Sequence, residues 1–167
     1  MSTNDNLKAA FAGESQANRK YLAFAKKAEQ DGYEGVAKLF RAAAEAETLH
    51  AHAHLRVLGG IRTTEENLLE AVEGEGYEFQ TMYPEFLAEA EKEGDNRAAI
   101  ISFKHALKAE EVHHGLYQMA LDKVKAGEDL SNQSIYLCTV CGNIEIGVLP
   151  ETCPICGVPK SRFVEVQ

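Results

Sequence analysis

Glu47-Thr48-Leu49-His50 and Glu110-Glu111-Val112-His113 share one pattern, E-x-x-H, and each sits in a long run without proline that is rich in Ala, Leu, Lys and Glu. On a helix, residues three apart lie on one face, so each stretch aims a carboxylate and an imidazole the same way. Two such pairs from facing helices, plus single carboxylates from two others, form a dinuclear metal site inside a helical bundle. Glu14 and Glu78 stand where those single acids are needed.

The apolar periodicity around these residues predicts four helices. The first covers about residues 3–30, with the stripe Leu7, Ala10, Glu14, Ala17, Tyr21, Phe24 and Ala28, and it stops at Asp31-Gly32. The second covers 33–58, with the stripe Val36, Phe40, Ala43, Glu47, His50, His54 and Val57, and it ends at Gly59-Gly60. Residues 61–76 read as a connection: Thr63-Thr64-Glu65-Glu66 resembles a helix start, but Gly74 and Gly76 interrupt the run after it. The third helix is expected over 77–93, with a kink or irregular turn at Pro84. The fourth covers 96–126, with the stripe Ala99, Phe103, Ala106, Glu110, His113, Tyr117, Ala120 and Val124. Glu111 and His114 fall one residue off that seam, so the inward pair is Glu110 and His113, and His114 is expected in solvent. The fold class is mainly α, a ferritin-like four-helix bundle with a long crossover connection, and then a small β module.

Four acids on inward stripes need compensation, because burying an unpaired carboxylate costs several kcal/mol. Two divalent cations would balance Glu14, Glu47, Glu78 and Glu110, with His50 and His113 completing the shell. An oxo bridge would offset the extra charge if both ions oxidised. Mixed carboxylate and imidazole ligands suit iron or manganese, and zinc remains open on ligand type alone. Tyr21, two turns after Glu14, either packs in the core or presents its hydroxyl to the metals as a proton donor.

The four cysteines all lie in the last thirty residues, as Cys138-Thr139-Val140-Cys141-Gly142 and Cys153-Pro154-Ile155-Cys156-Gly157. Two C-x-x-C knuckles about a dozen residues apart bind one tetrahedral ion. Zinc would be structural there, whereas iron would carry one electron. A redox site in the adjoining bundle favours iron. The polar stretch 127–134 reads as a linker, dividing the chain into residues 1–130 and 131–167, and the second part is too small to fold by burial alone.

Composition narrows the class further. A net charge of −9 disfavours nucleic acid and offers no basic patch for a membrane surface. No apolar run approaches the ~18 residues needed to cross a bilayer. The N-terminal Met-Ser-Thr-Asn-Asp-Asn lacks the charged and apolar regions of a secretory signal. These features fit an intracellular chain.

Taken together, these stretches resemble the rubrerythrin family over nearly the whole chain. The resemblance rests on Phe11-Ala-Gly-Glu-Ser-Gln-Ala-Asn-Arg-Lys-Tyr21, Ala44-Glu-Ala-Glu-Thr-Leu-His50, Tyr77-Glu-Phe-Gln-Thr-Met-Tyr-Pro84, Ala109-Glu-Glu-Val-His113 and the two knuckles. It implies two irons in the bundle, one iron in a rubredoxin-like four-cysteine site, and a dimeric peroxidase that reduces hydrogen peroxide to water. It also implies electrons from NAD(P)H through a separate reductase or rubredoxin, with the cysteine-bound iron of one subunit facing the diiron site of its partner. By the same resemblance, Glu47 and Glu110 bridge the irons, Glu14 and His50 are terminal on one, and Glu78 and His113 are terminal on the other. Tyr21 matches a tyrosine beside that site. One departure stands out: the family pattern implies a second glutamate three residues after Glu78, where this chain has Thr81. Without it, His50 is expected to stay bound in both oxidation states.

Two rivals remain. The bundle could oxidise and pass on Fe(II) as a ferroxidase, although iron storage needs no dedicated electron entry. Alternatively, the chain could be a zinc-structured protein with no catalysis.

Overall fold

A computed structural model describes residues 2–130 and 133–167. The fold is mainly α, with four helical runs followed by a three-stranded β module, as the periodicity predicts. The chain forms two compact units, Met1–Arg62 and Thr63–Gln167.

The first unit is a helical hairpin. Helix α1 (Thr3–Gln30) starts at a capping box in which Ser2 Oγ accepts from the Asp5 amide and Asp5 accepts from the Ser2 amide. Helix α2 (Glu34–Val57) returns after Gly32, whose φ of +81° makes the turn. The residues buried here are small: Ala25 and Ala28 of α1 face an alanine row, Ala37, Ala44 and Ala51, set seven apart on α2. Small side chains bring the backbones close enough for Asn18 Nδ2 to donate to Ala44 O at 2.7 Å and Thr48 Oγ1 at 2.8 Å. The expected stripe is therefore corrected by part of a turn. Phe40 does pack, its ring 5.6 Å from that of Phe24, but Phe24, Val36 and Val57 keep exposed surface.

In the second unit, α3 (Thr64–Tyr77) begins where the sequence hints, with Thr63 Oγ1 accepting from the Glu66 amide and Glu66 accepting from the Thr63 amide. The helix then runs straight through Gly74 and Gly76, so most of the expected connection over 61–76 is helical. Gly76 is buried because it lies against His114, where a Cβ would come within 3.3 Å of the ring. His114 packs against Phe79, its ring tilted and 5.1 Å away, not in open solvent as expected.

A π-helical turn, Glu78–Met82, joins α3 to α4 (Tyr83–Glu93). Pro84 explains it. Proline has no N–H to return to the preceding turn, and the chain widens so that the Tyr83 amide donates to Glu78 O. The irregularity expected at Pro84 is thus present, displaced to the residues just before it. After Gly94, Asn96 Oδ1 caps α5 (Arg97–Lys125) by accepting from the Ala99 amide at 3.0 Å.

Of the expected linker, residues 131 and 132 lie outside the described residues. Strand β1 (Ile135–Cys138) sits between β2 (Ile144–Ile146) and β3 (Phe163–Glu165), antiparallel to both. The buried core of this module is Cys138, Cys153 and Phe163, flanked by Tyr136, Leu149, Ile155 and Val158. No helix is long and apolar enough to cross a membrane among the described residues.

Candidate metal centres

Each unit carries a set of two acids and one histidine. In the first, Glu14 of α1 meets Glu47 and His50 of α2, with ligand atoms within 4.8 Å of one another. His50 Nδ1 lies 3.0 Å from Glu47 Oε2 and 3.8 Å from Glu14 Oε2. Glu14 is held above the ordinary carboxylate range, chiefly by a hydrogen bond with Glu47, whose own value is lowered by the same bond. The bond thus favours the proton on Glu14 and the charge on Glu47. Tyr21 packs its ring against Phe24 and Phe40.

In the second unit the set is Glu75, Glu110 and His113. His113 Nδ1 lies 2.6 Å from Glu110 Oε2 and 3.8 Å from Glu75 Oε2. Glu75 is not among the residues that the sequence singles out, because the glycines on either side of it suggest a connection. The signal that finds it is Glu75-Gly-Tyr-Glu78, an E-x-x-E pair on a helix that does not stop. Burial, then Glu110, pushes Glu75 up to about 7. Glu78, one turn on, is also raised by burial and by the nearby Glu110 charge. The helical run thus carries two acids three apart, with the second one before Glu78, not after it at Thr81. Tyr83 also escapes a reading by sequence. Its hydroxyl is raised by burial and by the charges of Glu78, Glu110 and Glu75.

Glu75 Oε2 is buried and has no hydrogen-bond partner. An orphaned carboxylate oxygen facing an imidazole nitrogen and a second acid is the environment that a cation would satisfy. The residues present thus fit a metal such as iron.

The cysteine module meets the same test. All four cysteines are free thiols whose sulfurs lie within 4.8 Å of one another. Cys138 and Cys156 sulfurs are 3.8 Å apart, and Cys141 and Cys153 are 3.5 Å apart. A tetrahedron of ~2.3 Å metal–sulfur bonds has edges of about 3.8 Å, so the geometry suits a single ion. Burial opposes ionisation of Cys138, but amides of Cys141 and Val140 donate to its sulfur and bring it down to about 7. Burial pushes Cys141 and Cys156 up. Gly142, at φ +84°, makes the tight turn behind the first knuckle. Its carbonyl accepts a 2.9 Å hydrogen bond from His113 Nε2–H.

Comparison with known proteins matches these features in order. The family model described as rubrerythrin matches residues 5–121, and the rubrerythrin, rubredoxin-like domain matches 136–164. Nigerythrin of Nitratidesulfovibrio vulgaris (strain Hildenborough) is 39% identical, over 97% of this chain and 85% of its own. Rubrerythrin-2 of Clostridium acetobutylicum is 35% identical, over 96% of this chain and 95% of its own. Among solved structures, a mixed-valence state of nigerythrin gives a TM-score of 0.58 at 37% identity, covering 99% of this chain and 87% of that one. A fully reduced, all-ferrous nigerythrin gives 0.59 at the same identity.

Proposed function

Because the chain belongs to the rubrerythrin family, with a diiron domain and a rubredoxin-like four-cysteine domain, we propose that it is a non-haem diiron peroxidase reducing hydrogen peroxide to water. In this reading residues 1–130 form the catalytic domain and residues 131–167 the electron-entry domain. Each acid–histidine set supplies iron ligands. The protein acts in the cytoplasm as a homodimer, supplied by an NAD(P)H-dependent reductase or a rubredoxin.

The observation that carries this reading is the position of the cysteine module: its first knuckle is hydrogen-bonded to His113, a member of an acid–histidine set. An iron-storage ferroxidase has no use for that connection.

Iron held by these acids would supply the two electrons that, with two protons, convert one peroxide to two waters. The chain's own groups do the rest. By the family resemblance Glu47 and Glu110 would be the bridging acids, with Glu14 and Glu78 terminal and His50 and His113 as neutral donors; Glu75 is a further carboxylate beside His113. Glu75, raised to about 7 in the metal-free protein by burial and then by Glu110, gives up its proton when it takes a metal. Tyr83 and Tyr21 are the proton donors.

The test is steady-state turnover of iron-loaded protein with NADH and a rubredoxin reductase. Catalytic peroxide loss, one NADH per peroxide, supports the proposal. Stoichiometric Fe(II) uptake without turnover supports the ferroxidase, and a colourless protein holding only zinc supports the structural reading.

A further inference from the structure

We propose that His54 is a fourth metal ligand of the first unit's set, joining Glu14, Glu47 and His50 when an ion binds.

The geometry that points to this lies wholly within the α1–α2 hairpin. His50 and His54 stand four apart on α2, the spacing at which two imidazoles on one helix face hold an ion between them. Glu47 and His54 each follow a buried alanine by three residues, Ala44 and Ala51 of the row against α1. They therefore stand at nearly the same angle to α1, two turns apart. Helical side chains lean toward the N-terminus of their own helix, so His54 leans back toward His50. Glu14, on the antiparallel α1, leans the other way along the hairpin, toward His54. Electrostatics report the same approach: the hydrogen bond with Glu47 chiefly raises Glu14, and His50 and His54 both act against that rise. In the metal-free protein the set closes on Glu14, Glu47 and His50, with their ligand atoms within 4.8 Å of one another. The His54 ring is half-buried and makes no hydrogen bond or ion pair among the described residues, so it can turn in without breaking one.

In the second unit the place four residues after His113 is taken by Tyr117, and Glu75, Glu78 and Glu110 supply three acids. Two carboxylates and two neutral imidazoles balance one divalent ion, whereas three carboxylates and one imidazole favour a trivalent one. The first unit's set is therefore the one suited to ferrous iron or zinc. The inference rests on the metal-binding part of the reading above and makes no use of its peroxide chemistry.

The experiment reads the ring nitrogens directly, without turnover. Full-length chain labelled with nitrogen-15 histidine is loaded with cadmium-113, whose nuclear spin splits the signal of any nitrogen bonded to it. The four-cysteine site also takes cadmium but bonds no nitrogen. The expected result is splitting of one ring nitrogen in both His50 and His54, assigned with His50→Gln and His54→Gln. An unsplit His54 overturns the proposal, whether His50 is split or not. His54→Gln gives a second arm: the free zinc that half-shifts the His50 signal should rise about tenfold or more, while the His113 midpoint stays where it was. An unchanged His50 midpoint also overturns it. Peroxide consumption by the iron-loaded, unaltered chain reports separately on the peroxidase reading, so either can fail without the other.

Discussion

Glu75 Oε2 lies 3.8 Å from His113 Nδ1, buried and without a hydrogen-bond partner, at the junction of α3 and α5. The relationship joins a helix that the sequence disguises to one that it displays plainly. It also sets how the second acid–histidine set responds to pH.

In metal-free protein, Glu75 titrates near 7, above the carboxylate value of 4.5 expected once unfolded. The folded state thus holds the proton more tightly. The stability this gives is fully present below about pH 4.5 and is lost as pH rises through about 7. Glu75→Gln should remove that part of the pH dependence, leaving the variant more stable than the parent at pH 8 and little changed at pH 5. Thermal melts of the metal-free pair at both values check it. Iron binding should release a proton here, its apparent affinity rising by up to about tenfold per pH unit below 7.

Pro84 forces the π turn at Glu78–Met82. Pro84→Ala restores a donor and allows a regular helix, which turns Glu75 and Glu78 by about 100° relative to everything after the turn. The metal-free variant should be about 1–3 kcal/mol more stable and hold iron less tightly. Denaturant titration and iron content after dialysis measure the two effects. A variant that gained stability and kept its iron would disprove the link between the turn and the site.

Asn18 is 6% exposed and spans α1 and α2 through Ala44 O and Thr48 Oγ1. Asn18→Ala leaves a buried carbonyl short of one donor and should cost about 1–3 kcal/mol. Because Glu14 and Glu47 sit on the same two helices, iron uptake should weaken with it. Urea unfolding and metal titration give both numbers.

The β module buries chiefly two cysteines and one phenylalanine. Cys153→Ser, or chelation of its ion, should therefore unfold residues 135–165 while leaving the helices intact. Amide exchange should show protection lost in β1, β2 and β3 and kept in α5. The red iron–thiolate colour should disappear in step.

Much of the molecule is legible in the chain itself. The two E-x-x-H stretches, Glu14 and the paired knuckles stand out because their spacing matches a helix face or a tetrahedron, and both are local geometries. The stretch from Gly74 to Pro84 is not legible. Glycine and proline ordinarily end helices, so sequence alone puts Glu75 in a connection. Here Gly76 is kept for its closeness to His114, and Pro84 is absorbed by a wider turn. Neither contact can be read from neighbours in sequence.

The sequence by itself determined the ligand types and their E-x-x-H and C-x-x-C spacing, since these follow from residue identity and local period. Only the tertiary structure decided that Glu75 completes the set around His113 and that Gly142 holds the far side of that ring. Both depend on surfaces far apart in the chain meeting at hydrogen-bond distance, and burial there gives an acid or a carbonyl a role that its type alone does not specify.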